Sequence, residues 1–149
     1  MTARSTDPDD VDTEAIVPGP SGTVELTIPV ESDLLVLARL ATSTVASRSS
    51  FDIEEIEDLR LAVDELCLLV VDGRRTGRIH LRLEGTADRI EVDCFYEGTT
   101  TVSGGDGRQG PEDGLSGRIL DALVDEHGPV ALDGWLGARL CKRRGTADE

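Results

Sequence analysis

The chain has 149 residues and a formal net charge of −15 at pH 7, a size that suits one domain with a sizeable core and a tail. The negative charge argues against direct nucleic-acid binding, which depends on neutralising phosphates, and favours a basic protein partner. Because no apolar run reaches the roughly 18–20 residues that span a bilayer and no secretory signal is evident, we expect a cytoplasmic protein.

The first part of the chain combines a polar segment with a strand. Residues 1–22 contain three prolines, few large hydrophobes and five closely spaced acids, which predicts a solvated, disordered acidic tail. From Thr23 the sequence TVELTIPV alternates between apolar and polar residues. This pattern predicts a strand in which one face carries Val24, Leu26, Ile28 and Val30.

A first helix is expected over residues 32–47. Ser32 is the candidate N-cap, because its hydroxyl could accept from the free N–H groups of the first turn. The expected buried stripe consists of Leu34, Leu37, Ala38, Ala41 and Val45. Arg39 lies off that stripe.

The longest predicted element is a central helix over residues 51–71. Asp52 and Glu55 have the spacing of a capping box, and Phe51 and Ile56 have that of a hydrophobic staple. Apolar residues recur at steps of three and four along it, and the last turns, LCLLVV, are apolar all round, so we expect this end to be enclosed. Glu65 is an acid beside that enclosed segment.

The second half of the chain predicts two hairpins separated by a loop and a helix. Residues 77–84 and 89–96 alternate around a short polar loop, as antiparallel partners do. Residues 97–113 are rich in Gly and Thr, typical of a functional or disordered loop. A helix over 114–128, with Leu115, Ile119, Leu123 and Val124 on one face, and a hairpin turning at Asp133 and Gly134 complete the order. We therefore predict an α+β two-layer sandwich, one mostly antiparallel sheet with three helices on one face.

Several stretches resemble the RsbW-type anti-sigma factors, which are serine-protein kinases of the histidine-kinase-like (GHKL) ATPase superfamily. DLRLAVDELC, residues 58–67, is similar to that family's central-helix signature. GLSGRILDALVDE, residues 114–126, resembles its lid and third helix, and ALDGWLGARLCKR resembles its closing hairpin. The resemblance covers residues 23–144, which we take as the domain, with residues 145–149 as a C-terminal tail.

The resemblance implies a nucleotide site, but several of its positions differ here. The family's catalytic Glu corresponds to Glu65, whereas the Asn that holds Mg²⁺ is Leu69 and the Asp that recognises adenine is Tyr96. Gly98 keeps the following glycine, and the lid glycines correspond to Gly114 and Gly117. Leucine offers no oxygen to a hard cation, and tyrosine does not accept hydrogen bonds as a carboxylate does. Since phosphoryl transfer depends on charge neutralisation, kinase activity is doubtful, while weak metal-independent ATP binding stays open.

The family resemblance also implies the partners. Arg39, in an Ala-Arg pair on the first helix, matches the residue that the family uses on its surface for sigma and anti-anti-sigma proteins. We expect an anti-sigma factor that sequesters an RNA polymerase sigma factor and is released by a STAS-domain anti-anti-sigma protein, with a homodimer implied. The alternative is an active ATP-dependent serine kinase that phosphorylates its antagonist, with Glu65 as the base.

Each of these residues also has an interpretation that involves no functional role. Glu65 could be a vestigial or solvated carboxylate, and Arg39 an ordinary exposed arginine. Gly114 and Gly117 are equally consistent with flexibility where the helix begins. Trp135, beside a turn, could anchor a partner or cover the sheet edge. The three cysteines lack metal-ligand spacing, which favours small buried residues in a reducing compartment and no metal site.

Overall fold

A computed structural model describes residues 22–98, 114–132 and 134–145. Its five-stranded antiparallel sheet has the order β1-β2-β3-β5-β4. The strands are β1 (Thr23–Pro29), β2 (Arg78–Gly85), β3 (Arg89–Glu97), β4 (Glu126–Leu132) and β5 (Trp135–Arg143). The helices are α1 (Val36–Ser47), α2 (Ile53–Val71) and α3 (Leu115–Leu123), with a 3₁₀ turn at Ser32–Leu34. The predicted α+β fold is confirmed.

Three of the expected segments fall largely outside the described residues. They are the acidic tail, residues 1–21, most of the Gly-rich loop, residues 99–113, and the C-terminal residues 146–149. Within the described ranges, no helix is long and apolar enough to cross a membrane.

The core lies between the helices and one face of the sheet. α2 packs against α1, α3, β3 and β5, and α1 covers β2. Alternate residues of the middle strands point into this layer, as the alternation predicted. The fully buried members of the strands are Ile79, Leu81, Leu83, Ile90, Val92, Cys94 and Leu140.

The predicted start and stop of α2 are confirmed. Glu55 N–H donates to Asp52 Oδ1 at 2.8 Å and Asp52 N–H donates to Glu55 Oε1 at 2.9 Å, which is the reciprocal capping box. Asp72 ends the helix in the left-handed region, with φ of 51°. The expected enclosure of the last turns is wrong in part, because Leu68 is 52% exposed.

Two expectations for the first helix are wrong. Ser32 does not cap an α-helix, since the chain enters through the 3₁₀ turn and no side-chain cap bond forms there. Leu37 is 40% exposed, and the buried positions of α1 are Ala38, Thr42, Val45 and Ala46. Small residues fill this stripe because α1 lies between α2 and β2, where longer side chains would hold the elements apart.

The third helix is shorter than predicted. It ends at Leu123, and β4 begins at Glu126 because residues 126–132 pair with β5. β4 is an edge strand. Proline is tolerated on such a strand because one side of it has no neighbouring strand that needs a backbone N–H. The expected apolar face is wrong in part: Leu123 and Val124 pack against the core, but Leu115 is 73% exposed and the fully buried residue is Leu120.

Candidate functional site

A cavity of about 380 Å³ opens where the C-terminal end of α2 meets the end of β3 and the start of β5. Its wall contains Leu69, Tyr96 and Gly98, three positions that the family resemblance assigns to a nucleotide site. Apolar contributions from Leu136 and Ala138 complete this side of the wall. The fold therefore brings Leu69 and Tyr96, the two positions that differ from the family's nucleotide site, together in one cavity wall with Gly98.

Glu65 is held outside this cavity by the third helix. Its Oε1 accepts a hydrogen bond of 2.8 Å from Ser116 Oγ on α3. Ser116 lies 51 residues further along the chain, so local sequence gave no sign of this contact. The carboxylate proposed as a catalytic base thus connects α2 to α3.

The two lid glycines lie at different depths on α3. Gly114 precedes the helix, is exposed, and would meet no atom within 4 Å if it carried a Cβ. Gly117 is buried where α3 packs against α2. Neither glycine belongs to the cavity wall.

Tyr96 is fixed in the cavity wall by a polar contact and a stacked cation. Its hydroxyl donates to the backbone oxygen of Thr76 at 2.7 Å. The Arg74 guanidinium lies over the ring, 4.4 Å from its centroid, a cation–π arrangement. Arg74 Nη1 also donates to the oxygens of Val70 and Val71 at 3.2 and 3.3 Å at the end of α2, and the backbone N–H of Arg74 donates to the Val71 oxygen as well. Tyr96 and Arg74 together form what we call the Tyr96–Arg74 plug.

Two glycines make room for this plug. A Cβ at Gly77 would lie 2.6 Å from the Tyr96 hydroxyl, and Gly77 also has a φ of +101°, which favours glycine. A Cβ at Gly98 would collide with the same hydroxyl. Gly98, kept from the family pattern, therefore accommodates the chain's own tyrosine.

The residues of the cavity do not fit a magnesium–nucleotide complex. Leu69 is partly buried against the core and has no oxygen for Mg²⁺, which demands oxygen ligands. The Tyr96 hydroxyl already donates to Thr76. Among the described residues, no cluster of three His, Cys, Asp or Glu side chains could hold a metal ion.

Arg39 on α1 forms an ion pair with Asp64 on α2. Its Nε is 3.1 Å from Asp64 Oδ1, with side chains 36% and 34% exposed. Burial raises the pKa of the Asp64 carboxyl; attraction to Arg39 opposes that rise, and neighbouring Glu65 adds to it. The guanidinium is thus positioned by Asp64 at the junction of α1 and α2.

The other face of the sheet, which we call the outer face, carries its own side-chain network. The rings of His80 and Trp135 stack with centroids 4.5 Å apart. His80 Nε2 is 2.7 Å from Glu97 Oε1, and the hydrogen bond from His80 lowers the pKa of Glu97, aided by Arg78. The alternation of β2 by itself predicts that His80 lies on this face, because its neighbours Ile79 and Leu81 are buried on the other.

The chain is similar in sequence to several serine-protein kinases named RsbW. No protein-family model matches the chain. The serine-protein kinase RsbW of Halalkalibacterium halodurans is 30% identical over 118 residues, covering 70% of this chain and 73% of the relative. RsbW of Bacillus velezensis is 36% identical over 124 residues, covering 69% and 74%. RsbW of Bacillus subtilis is 34% identical over 79 residues, about half of each protein. The extent and identity of these matches mean that the chain belongs to the RsbW family of GHKL-type proteins.

Proposed function

We propose that this chain is an anti-sigma factor that sequesters an RNA polymerase sigma factor in the cytoplasm and yields it to a STAS-domain protein by competition. The observation that carries this proposal is the Tyr96–Arg74 plug beside Leu69. Position 69 carries no oxygen for magnesium and position 96 carries no carboxylate for adenine, while the surface around Arg39 stays available for a partner.

The partner surface is proposed around the Arg39–Asp64 ion pair. Val36 and Leu40 on α1 are 37% and 53% exposed, and Leu61 and Leu68 on α2 are 54% and 52% exposed. By helical spacing, Val36 is a neighbour of both Arg39 and Leu40 on α1, and Leu61 and Leu68 are neighbours of Asp64 on α2. We call these six residues the α1–α2 surface. A central arginine surrounded by apolar side chains has the composition of an interface hot spot.

Competition alone can drive the release. Two partners that need the same arginine exclude one another, and the partner with the greater affinity and concentration prevails. The net charge of −15 favours basic surfaces on both partners and weighs against direct nucleic-acid binding.

We place a homodimer contact on the outer face of the sheet. Leu132 and Trp135 are 40% and 38% exposed there, and Val130, on the same face, pairs across to Gly137. Apolar side chains on an uncovered sheet face favour packing against a second sheet. This contact would leave the α1–α2 surface free on each protomer.

Nucleotide-free partner exchange tests the proposal. The full-length chain is mixed with each sigma factor of its host in EDTA, and binding is measured by calorimetry before a STAS protein is titrated in. We expect a stable complex with a sigma factor, and we expect the STAS protein to dissociate that complex without ATP. The proposal fails if no sigma factor binds, or if release requires Mg·ATP and leaves phosphoserine on the STAS protein.

The second candidate is a serine-protein kinase, which is favoured because the similar proteins are named serine-protein kinases. It would need Mg·ATP to bind and Glu65 to act as the base. Calorimetry with Mg·ATP on the chain and on Glu65→Ala separates the candidates. Absence of heat at millimolar nucleotide rejects the kinase, whereas Mg²⁺-dependent binding that weakens in the variant supports it.

A further inference from the structure

We propose that residues 14–17 of the chain's own N-terminal segment bind to the outer edge of β1 as a short antiparallel strand. Within the described residues, β1 pairs with β2 alone, so its second edge faces no other strand. Such an edge is a template for another strand, and proteins commonly cover or block it. This inference concerns the end of the sheet, and it stands apart from which protein binds the α1–α2 surface.

The direction of one hydrogen bond shows which backbone groups lie on that edge. Val30 N–H donates to the oxygen of Gly77 at 2.9 Å, so it points toward the β2 side. In an antiparallel pair, successive residues alternate between hydrogen-bonded and non-hydrogen-bonded positions. Thr23, Glu25 and Thr27 therefore direct their N–H groups to the outer edge of β1, where an added strand would accept from them.

Apolar surface is also uncovered at this edge. Val24 pairs with Leu83, which is fully buried on the core side of the sheet, yet Val24 itself is 39% exposed. Leu26, the next residue on the same side of β1, is only partly buried against the core. A strand on the outer edge would cover both side chains, and the burial of apolar surface favours its binding.

The residues that precede β1 have the sequence of a hairpin partner. Residues 15–17 are Ala, Ile and Val, and β-branched residues favour strands. The five residues PGPSG, at 18–22, separate them from β1, a length and composition typical of a hairpin loop. Gly22 has a φ of +100°, a conformation that favours glycine and allows the chain to reverse.

The loop length sets the register of the added strand. With a loop of residues 18–22, Val17 lies opposite Thr23 and Ile16 lies opposite Val24. Since the Thr23 N–H points to the outer edge, Ile16 and Val24 form a non-hydrogen-bonded pair, in which the side chains lie closer together. Ile16 therefore covers the exposed side of Val24.

Amide hydrogen exchange of the full chain, followed by NMR, tests this pairing. Ala15→Pro removes the donor opposite Glu25, and Ala3→Pro is the matched control in the same N-terminal segment. We expect the Glu25 and Thr27 amides to exchange at least about tenfold faster in Ala15→Pro than in the unmodified chain. The Leu26 amide, which points toward β2, should change much less, and Ala3→Pro should change none of the three. Equal rates in Ala15→Pro and the unmodified chain, or equal acceleration by Ala3→Pro, would refute the pairing.

A second measurement identifies the occupant of the edge. Protection by a second copy of the chain would grow with protein concentration. We expect the exchange of Glu25 and Thr27 to be the same at two concentrations about tenfold apart. We also expect a nuclear Overhauser effect between the Hα protons of Ile16 and Val24, as in other non-hydrogen-bonded pairs. Protection that rises with concentration, or absence of this effect, would overturn the assignment of residues 14–17 to the edge.

Discussion

Arg39 and Asp64 join α1 to α2 through an ion pair of 3.1 Å at the centre of the α1–α2 surface. Asp64 is the immediate neighbour of Glu65, yet the two carboxylates serve different elements: Asp64 positions the arginine of α1, and Glu65 accepts from Ser116 of α3. α2 therefore connects the proposed partner surface to the third helix through adjacent residues.

Arg39→Ala should weaken sigma-factor binding by at least tenfold, because truncating a central interface arginine typically costs about 2 kcal/mol or more. Folding stability should change by less than about 1 kcal/mol, since the pair is half-exposed. Arg89→Ala is the control: its side chain is 44% exposed and forms an ion pair with Glu91 on β3, away from α1 and α2. Calorimetry and urea unfolding measure the two quantities; equal loss of binding in both variants would contradict the assignment.

Asp64→Asn should leave the free energy of unfolding at pH 7 unchanged or slightly higher. The pKa of Asp64 is raised, first by burial, so its charged form is less favourable in the folded chain than in the unfolded chain. The contribution of Asp64 to stability is therefore greatest below its ordinary pKa of 3.8 and is lost as the pH rises through the folded value.

Urea unfolding at pH 7 and near pH ~3 checks this sign. Because the site is partly exposed, the difference at pH 7 should stay within about 1 kcal/mol, and it should shrink in acid. A clear destabilisation at pH 7 would mean that attraction to Arg39 outweighs the burial of the carboxylate.

Glu97→Gln should lower the thermal midpoint at pH 7 and have little effect near pH ~3. The hydrogen bond from His80 lowers the pKa of Glu97 from its ordinary 4.5. Its stabilising contribution is thus present above 4.5 and is lost as the pH falls through the lowered folded value. Glu25→Gln, an exposed position on the outer face of β1, is the control. A deficit that is independent of pH would show that packing, and not charge, carries the effect.

Arg139→Ala should destabilise the fold more than Asp93→Ala. Arg139 Nε and Nη2 donate to the two carboxylate oxygens of Asp93 at 2.6 and 3.2 Å. Asp93 is 7% exposed, whereas the Arg139 side chain is 47% exposed. Removing the arginine leaves a buried carboxylate without its partner, at a cost of about 2–3 kcal/mol. Removing the aspartate leaves an arginine that water can solvate. Urea unfolding of both variants tests the asymmetry, and equal losses would refute it.

Ser116→Ala should cost about 1 kcal/mol of stability, the usual net value of one hydrogen bond, and leave sigma-factor binding unchanged. Glu65→Gln keeps an acceptor for Ser116 Oγ, so it should lose less than Ser116→Ala. Urea unfolding of the two variants measures this order. The opposite order would indicate that the charge of Glu65, and not the hydrogen bond, holds α3 on α2.

Local patterns predicted most of the elements. Capping chemistry at Asp52 and Glu55 and the left-handed stop at Asp72 depend on neighbours in the chain, so the limits of α2 could be inferred. Strict alternation predicted the buried faces of β2 and β3. The prediction erred at α3, where pairing of residues 126–132 with β5 overrode a helical pattern.

The sequence by itself determined the family, the two-layer fold and the replacement of Asn and Asp by Leu69 and Tyr96, because residue identity and spacing are properties of the chain. Only the tertiary structure decided what those replacements do. Tyr96 meets Thr76, 20 residues away, and Glu65 meets Ser116, 51 residues away. Contacts of that separation arise when strands and helices pack, and local periodicity carries no record of them. The Tyr96–Arg74 plug, the cavity beside it and the Arg39–Asp64 pair are consequences of packing.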